Sequence, residues 1–286
     1  EMTSSLVGSE MCIRDRLAVE AIQTIALFFM IGMGVFGQGF VGKLAFPSAN
    51  VSDRIEKTFT SVNFNMMIMV IYALITIAIF GMWYYARYEG NFLPSPKKTF
   101  NPMMLMAIVI LVPGTQFAAN FIANLTGYIR PDWLQQYNEL FETSGITDTT
   151  FVTVLYSVIL APICEELIFR GVTMRCARKA LPFALANLMQ AALFGLFHLN
   201  WIQGIYAFAL GIVLGYVCEC GGSIYYSMGL HMLFNLWGTL SGFFPDPGNS
   251  VVVFVVVIVV TIVSLVVGFV LFNKGRRKLP INSTGI

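Results

Sequence analysis

Residues 161–171, APICEELIFRG, decide how this chain is read, because they put Glu165, Glu166 and Arg170 inside an apolar, helix-forming run. Glu166 and Arg170 stand four apart with the acid first, so on a helix they share a face and can pair in the favourable orientation. A titratable side chain inside an apolar span costs about 2.5–3.5 kcal/mol on insertion scales. It persists where it pairs or lines a polar cavity, and so marks function by default. Two further pieces lie downstream: His198 in ALFGLFHLN, 192–200, and His231 with Asn235 in GLHMLFN, 229–235. They hold both histidines of the chain, and His231 and Asn235 are again one helical turn apart.

Working outward, 57% of the 286 residues are hydrophobic and 11% charged, against about 25% charged in soluble domains. The apolar residues gather in runs of about twenty, the length that crosses a bilayer as a helix. The runs predict an all-α, polytopic membrane helix bundle of about eight transmembrane helices, at 17–41, 65–88, 103–125, 149–174, 181–198, 202–218, 223–244 and 251–272. Pro113 and Gly114 are expected to kink the third. Gly204, Gly211 and Gly215 give the sixth a small-residue face for close contact. The eighth is almost wholly Val, Ile, Leu and Phe, and is expected to face lipid. The acidic loop 126–148 has room for a short surface helix around 134–141. The organisation is thus N-terminal spans with the acidic loop (17–148), a core carrying the polar motifs (149–244), and a last span with a basic tail (245–286). Residues 4–16, SSLVGSEMCIRDR, read as translated sequencing-adapter sequence, so 1–16 are taken as non-native or disordered and no signal peptide is recognised.

Charge orients the bundle. The net charge is +2, and the basic residues sit beside spans rather than in a patch, which excludes nucleic acid as a partner. Arg87, Lys97 and Lys98, then Arg175, Arg178 and Lys179, then Lys274, Arg276, Arg277 and Lys278 fall on one side if eight spans are present. By the positive-inside rule that side, with both termini, is cytoplasmic, and the 126–148 loop and Asp246 are outside. Five cysteines, four of them in or beside spans, read as buried small hydrophobes rather than a disulfide framework.

The constellation suits amide hydrolysis by activated water. The midpoint between Glu165 and His198 falls at the 181–182 turn, so a helical hairpin sets the two side chains level, and the seventh helix brings His231 to a similar depth. Glu165 can act as general base and His198 can share the water's proton or hold the water. His231 and Asn235 can donate to the oxyanion of the tetrahedral intermediate, and Glu166 with Arg170 can hold the helix and its charge balance. The same residues also suit zinc, with Glu165, His198 and His231 as ligands. A zinc-binding histidine pair more often sits four apart, as in HExxH, and the residue four after His231 is Asn235. The site is therefore expected to be metal-free, with zinc as the alternative. Cys164 is a rival nucleophile but points about 100° around the helix from Glu165.

These motifs resemble those of the CAAX protease and bacteriocin-processing family, also called Abi, of intramembrane proteases that includes the type II CAAX prenyl endopeptidases. EExxxR appears as Glu165, Glu166 and Arg170, FxxxH as Phe194 and His198, and HxxxN as His231 and Asn235, in order over about 151–240. The resemblance implies an active site in an intramembrane cavity, water activated by Glu165 and His198, and an oxyanion hole from His231 and Asn235. It carries both a metalloprotease and a metal-free glutamate mechanism. The expected function is an intramembrane endopeptidase in the bilayer of a bacterial plasma membrane, cutting a peptide or protein with a membrane-associated segment. The alternative is a bacteriocin self-immunity or membrane partner protein that uses the fold without cutting.

Overall fold

The computed structural model describes residues 62–88, 101–144, 150–241 and 250–276. The expectations for 1–16, the span at 17–41, Lys97, Lys98, Asp246, Arg277 and Lys278 lie outside the described residues. The chain forms α1 (Val62–Tyr88), α2 (Pro102–Ile129), α3 (Pro131–Ser144), α4 (Phe151–Arg178), α5 (Phe183–Phe197), α6 (Trp201–Gly221), α7 (Ile224–Ser241) and α8 (Val251–Gly275). Among the described residues there is no strand. The fold is the expected all-α bundle, and each predicted span after the first falls on one of these helices. α2, α4, α6 and α8 are long and apolar enough to cross a membrane. The protein is a multi-pass membrane protein. α3 is the predicted surface helix.

Side chains close the helix ends. Asn101 accepts from the Met103 N–H at 2.9 Å, donates to the Gly275 carbonyl at 2.8 Å, and gives its own N–H to the Tyr226 hydroxyl at 2.8 Å. One residue thus ties the start of α2 to the end of α8 and the start of α7. Thr150 and Thr153 form a capping box on α4, and Asn200 caps α6. Gly222, at φ +65°, makes the left-handed turn from α6 into α7.

α8 exposes many of its valines, as expected of a lipid-facing helix, but its small residues make a contact face on α2. A Cβ at Gly268 would lie 2.6 Å from Leu111, and one at Gly275 2.6 Å from Met104. At Pro113, where a kink is expected, α2 continues as one helix from Pro102 to Ile129. Pro113 removes one backbone donor, and Ser264 enters the opened ladder: its hydroxyl accepts from the Gly114 N–H at 2.9 Å and donates to the Ile110 carbonyl.

α5 and α6 approach through the predicted glycine face. A Cβ at Gly195 would stand 2.5 Å from the Gly204 carbonyl oxygen, Gly211 lies against Ala191, and Gly215 against Asn187 and Gln190. Gly195→Ala is therefore expected to push two backbones apart and to cost about 1–3 kcal/mol, as overpacking does. A lowered unfolding midpoint in detergent checks this, and an unchanged midpoint contradicts it.

Two features position the site. α4 is wound as α-helix at Ala161–Glu166 between π-helical turns at Leu155–Leu160 and Leu167–Met174, and π-turns within helices are frequent at functional sites. α5 has only 15 residues, about 22 Å of helix where the hydrocarbon core needs about 30 Å. It stops at His198. Leu199 reverses the chain in the left-handed region, φ +57°, and α6 starts two residues later. Trp201 at that break stacks on Trp133 of α3, centroids 5.3 Å apart, so α3 covers the break. Arg130, next to α3, pairs with Asp132 at 2.7 Å and lies over Trp133. Its hydrogen bond holds the Asp132 carboxyl below the usual carboxylate range.

Candidate active site

The site is built on α4, α5 and α7. Glu166 and Arg170 are fully buried and pair at 2.8 Å, as the four-residue spacing predicts. A second carbonyl supports the guanidinium: Arg170 Nη2 donates to Gly211 on α6 at 3.2 Å, and Gln190 Nε2 donates to the same oxygen at 2.9 Å. The Phe194 ring closes the other face, 4.5 Å from Arg170 Cζ.

Glu166 Oε1 also accepts from His231 Nδ1 at 2.9 Å. With a carboxylate there, Nδ1 carries the proton, and this orientation aims Nε2 at Glu165 Oε2, 3.6 Å away. That gap exceeds a direct hydrogen bond. The chain Arg170–Glu166–His231–Glu165 thus runs from a sealed interior to a carboxylate whose side chain is 18% exposed. Arg170 offsets the charge of Glu166. Among the described residues no arginine or lysine pairs with Glu165.

His198 caps α5, and its Nδ1 lies 2.8 Å from the Phe194 carbonyl. A carbonyl only accepts, so Nδ1 donates and Nε2 presents its lone pair. His198 and His231 each stand edge-on to Phe194, at 5.0 and 5.7 Å, and His198 is within Coulombic reach of both Glu165 and His231. Asn235 is on the same face of α7 as His231. Its Nδ2 donates to the Ser157 carbonyl of α4 at 2.8 Å, a partner the sequence reading did not anticipate. The structure therefore brings together Glu165, Glu166, Arg170, His198 and His231, and ties Asn235 to the same helix.

Both imidazoles have Nδ1 tied to an acceptor, which is how zinc-binding histidines are held. Yet among the described residues no three His, Cys, Asp or Glu side chains converge on a point that could hold an ion. As placed, Glu165, His198 and His231 do not converge as a zinc site. Cys164 is buried in the apolar cluster of Phe80, Leu167 and Ile168. Cys176 and Cys218 are also buried and Cys220 is half-buried, and among the described residues no disulfide joins these four.

Sequence reasoning missed Gln190 and Asn187. They form a buried amide pair at 2.7 Å, anchored on the Gly211 and Ile212 carbonyls beneath Arg170. The signal was present: two carboxamides three apart on an otherwise apolar helix.

A cluster of carboxylates and imidazoles inside a helical membrane bundle, buried at Glu166 and Arg170 and part-exposed at Glu165, is the class of site the geometry defines. Residues 147–237 match the family model of the Rce1-like type II CAAX prenyl endopeptidases, a segment that contains all three motifs. The match supports the CAAX protease and bacteriocin-processing family and, at the level of family, a CAAX-protease-like intramembrane endopeptidase. No curated protein and no solved structure matches the chain.

Proposed function

We propose that this protein hydrolyses a peptide bond in a membrane-associated peptide or protein, using water activated between Glu165 and His198. The observation that carries the reading is the part-exposed carboxylate of Glu165, which faces at 3.6 Å an imidazole fixed in turn by the buried Glu166–Arg170 pair. Glu165 removes a proton from water while His198 Nε2 accepts the water's second hydrogen bond. The hydroxide adds to the scissile carbonyl, and the C–N bond breaks as Glu165 returns its proton to the leaving amine. The second N–H of Asn235 donates to the oxyanion. His231, fixed by the donation of its Nδ1 N–H to Glu166, forms the wall beside Glu165 rather than part of the oxyanion hole as the sequence suggested.

The test is cleavage of a membrane-anchored peptide library by purified protein in liposomes, with Glu165→Gln and His198→Ala as controls. Full cleavage by both variants sinks the proposal. An immunity or partner protein would instead keep its protective effect in both. Chelation is expected to leave cleavage intact. Stoichiometric zinc whose removal and return switches activity off and on would defeat the metal-free mechanism.

We also place the protein in a bacterial plasma membrane with both termini inside. Supporting this, Arg178 pairs with Glu219 at 2.9 Å and Arg276 lies 3.8 Å from Cys220. The basic ends of α4 and α8 thus both meet the C-terminal end of α6, at the opposite end of α6 from the Trp201–Trp133 contact with α3. A cysteine substituted for Glu139 on α3 should react with an impermeant maleimide in intact cells, and one substituted for Asn282 should not. The reverse pattern overturns the orientation.

A further inference from the structure

We propose that Asn235 is a positioning residue whose carboxamide N–H replaces the backbone N–H that Pro162 lacks, and thereby fixes the turn of α4 that carries Glu165. In the first π-helical stretch the Ala161 N–H donates five residues back, to the Tyr156 carbonyl. Continued by one residue, that register assigns the Ser157 carbonyl to residue 162. Residue 162 is proline and has no N–H to give. A backbone carbonyl without a donor inside a bilayer costs several kcal/mol unless protein satisfies it, and the 2.8 Å bond from Asn235 Nδ2 does so.

The consequence for the site follows from where the pins fall. His231 and Asn235 are one turn apart on α7, so one face of that helix is fastened to α4 twice: at Ser157 through Asn235, and at Glu166 through His231. Pro162 lies between the two points and weakens the backbone there, and Glu165 lies beside the second. With only the His231 pin left, the segment around Pro162 can turn or slide, and the 3.6 Å approach of Glu165 to His231 is the first distance to change. The spacing HxxxN on α7 and the proline three before Glu165 are on this view two parts of one device. The positioning role rests on the hydrolase reading above only for its effect on catalysis. The pin itself is a matter of folding geometry.

A double-mutant cycle tests it. Asn235→Ala and Pro162→Ala are made singly and together, purified in detergent, and followed by thermal unfolding and by the pH profile of kcat/KM for a cleaved peptide. Pro162→Val supplies the same backbone N–H with a larger side chain and serves where the alanine variant does not accumulate. In the Pro162 protein, Asn235→Ala is expected to lower the midpoint by about 3 °C, the scale of one lost hydrogen bond in a chain of this size. It should also shift the acid limb of kcat/KM, which reports the base. In the Pro162→Ala background both effects should shrink to less than about half, because a backbone donor now serves the carbonyl. Any loss of kcat from the second N–H at the oxyanion persists in both backgrounds and does not enter the comparison. Equal midpoint and acid-limb changes in both backgrounds overturn the pin. If coupling appears in the midpoints but no Glu165-dependent cleavage exists, the pin stands as a structural device, and the positioning role falls with the hydrolase reading.

Discussion

Glu165→Gln should yield a folded protein that no longer cuts, with kcat/KM reduced by about 10²–10⁴-fold, the range ascribed to a positioned general base. Two observations separate activity from stability at this residue. Its carboxylate is part-exposed and lies 3.6 Å from His231 Nε2, beyond a direct hydrogen bond, so the isosteric amide removes no short bond to that ring. The buried pair next to it, Glu166 with Arg170, is untouched. The unfolding midpoint should therefore move by no more than a degree or two, about what a surface substitution gives. His198→Ala should fall short of that loss, because a water held by His198 can still be deprotonated by Glu165. Parallel assays of cleavage and thermal unfolding check both statements. A Glu165→Gln protein that cleaves at the native rate would mean that water is activated elsewhere.

The contrast between these two adjacent glutamates shows what could be read in the chain beforehand. The i, i+4 pairing of Glu166 with Arg170 is local geometry on one helix, and the 2.8 Å bond agrees with it. The common depth of Glu165 and His231 was also accessible, because rise per residue and turn position fix it. Asn235 was legible as a member of the site but not as a partner of Ser157. That bond depends on a shift from α- to π-register, which apolar periodicity does not encode; Pro162 was its one visible sign. For His231 the sequence offers a place at the oxyanion; that its Nδ1 is tied to Glu166 and its Nε2 faces Glu165 depends on the contact of α7 with α4, which spacing within one helix does not encode. α8 shows the same limit. Its composition reported the lipid side and was silent about Ser264, whose contact with α2 depends on a proline 151 residues earlier in the chain.

Arg170→Met is expected to have the largest effect on stability of any single change at the site. Neither member of the Glu166–Arg170 pair has any exposed side-chain surface, so removing the cation leaves a fully buried carboxylate with neutral donors only beside it. Breaking a buried pair in this way costs about 3–5 kcal/mol, because the remaining charge is uncompensated. The loss is compounded at Gly211, whose carbonyl then keeps only the Gln190 donor. Arg170→Lys does not rescue, since a single ammonium cannot reach Glu166 and Gly211 with the two separate nitrogens that the guanidinium uses. The decisive variant is the double change Glu166→Gln with Arg170→Met. Removing both charges at once takes away the uncompensated carboxylate, and buried pairs replaced by neutral groups of similar volume are often as stable as the original. Folded yield and unfolding midpoint should therefore recover to near the native values. Cleavage should not recover, because His231 has lost the anionic acceptor that turns its Nε2 towards Glu165. A double variant that stayed unfolded would show that the guanidinium fills and braces the α4–α6 contact by its shape. One that folded and cut normally would show that Glu165 needs no alignment from the buried pair.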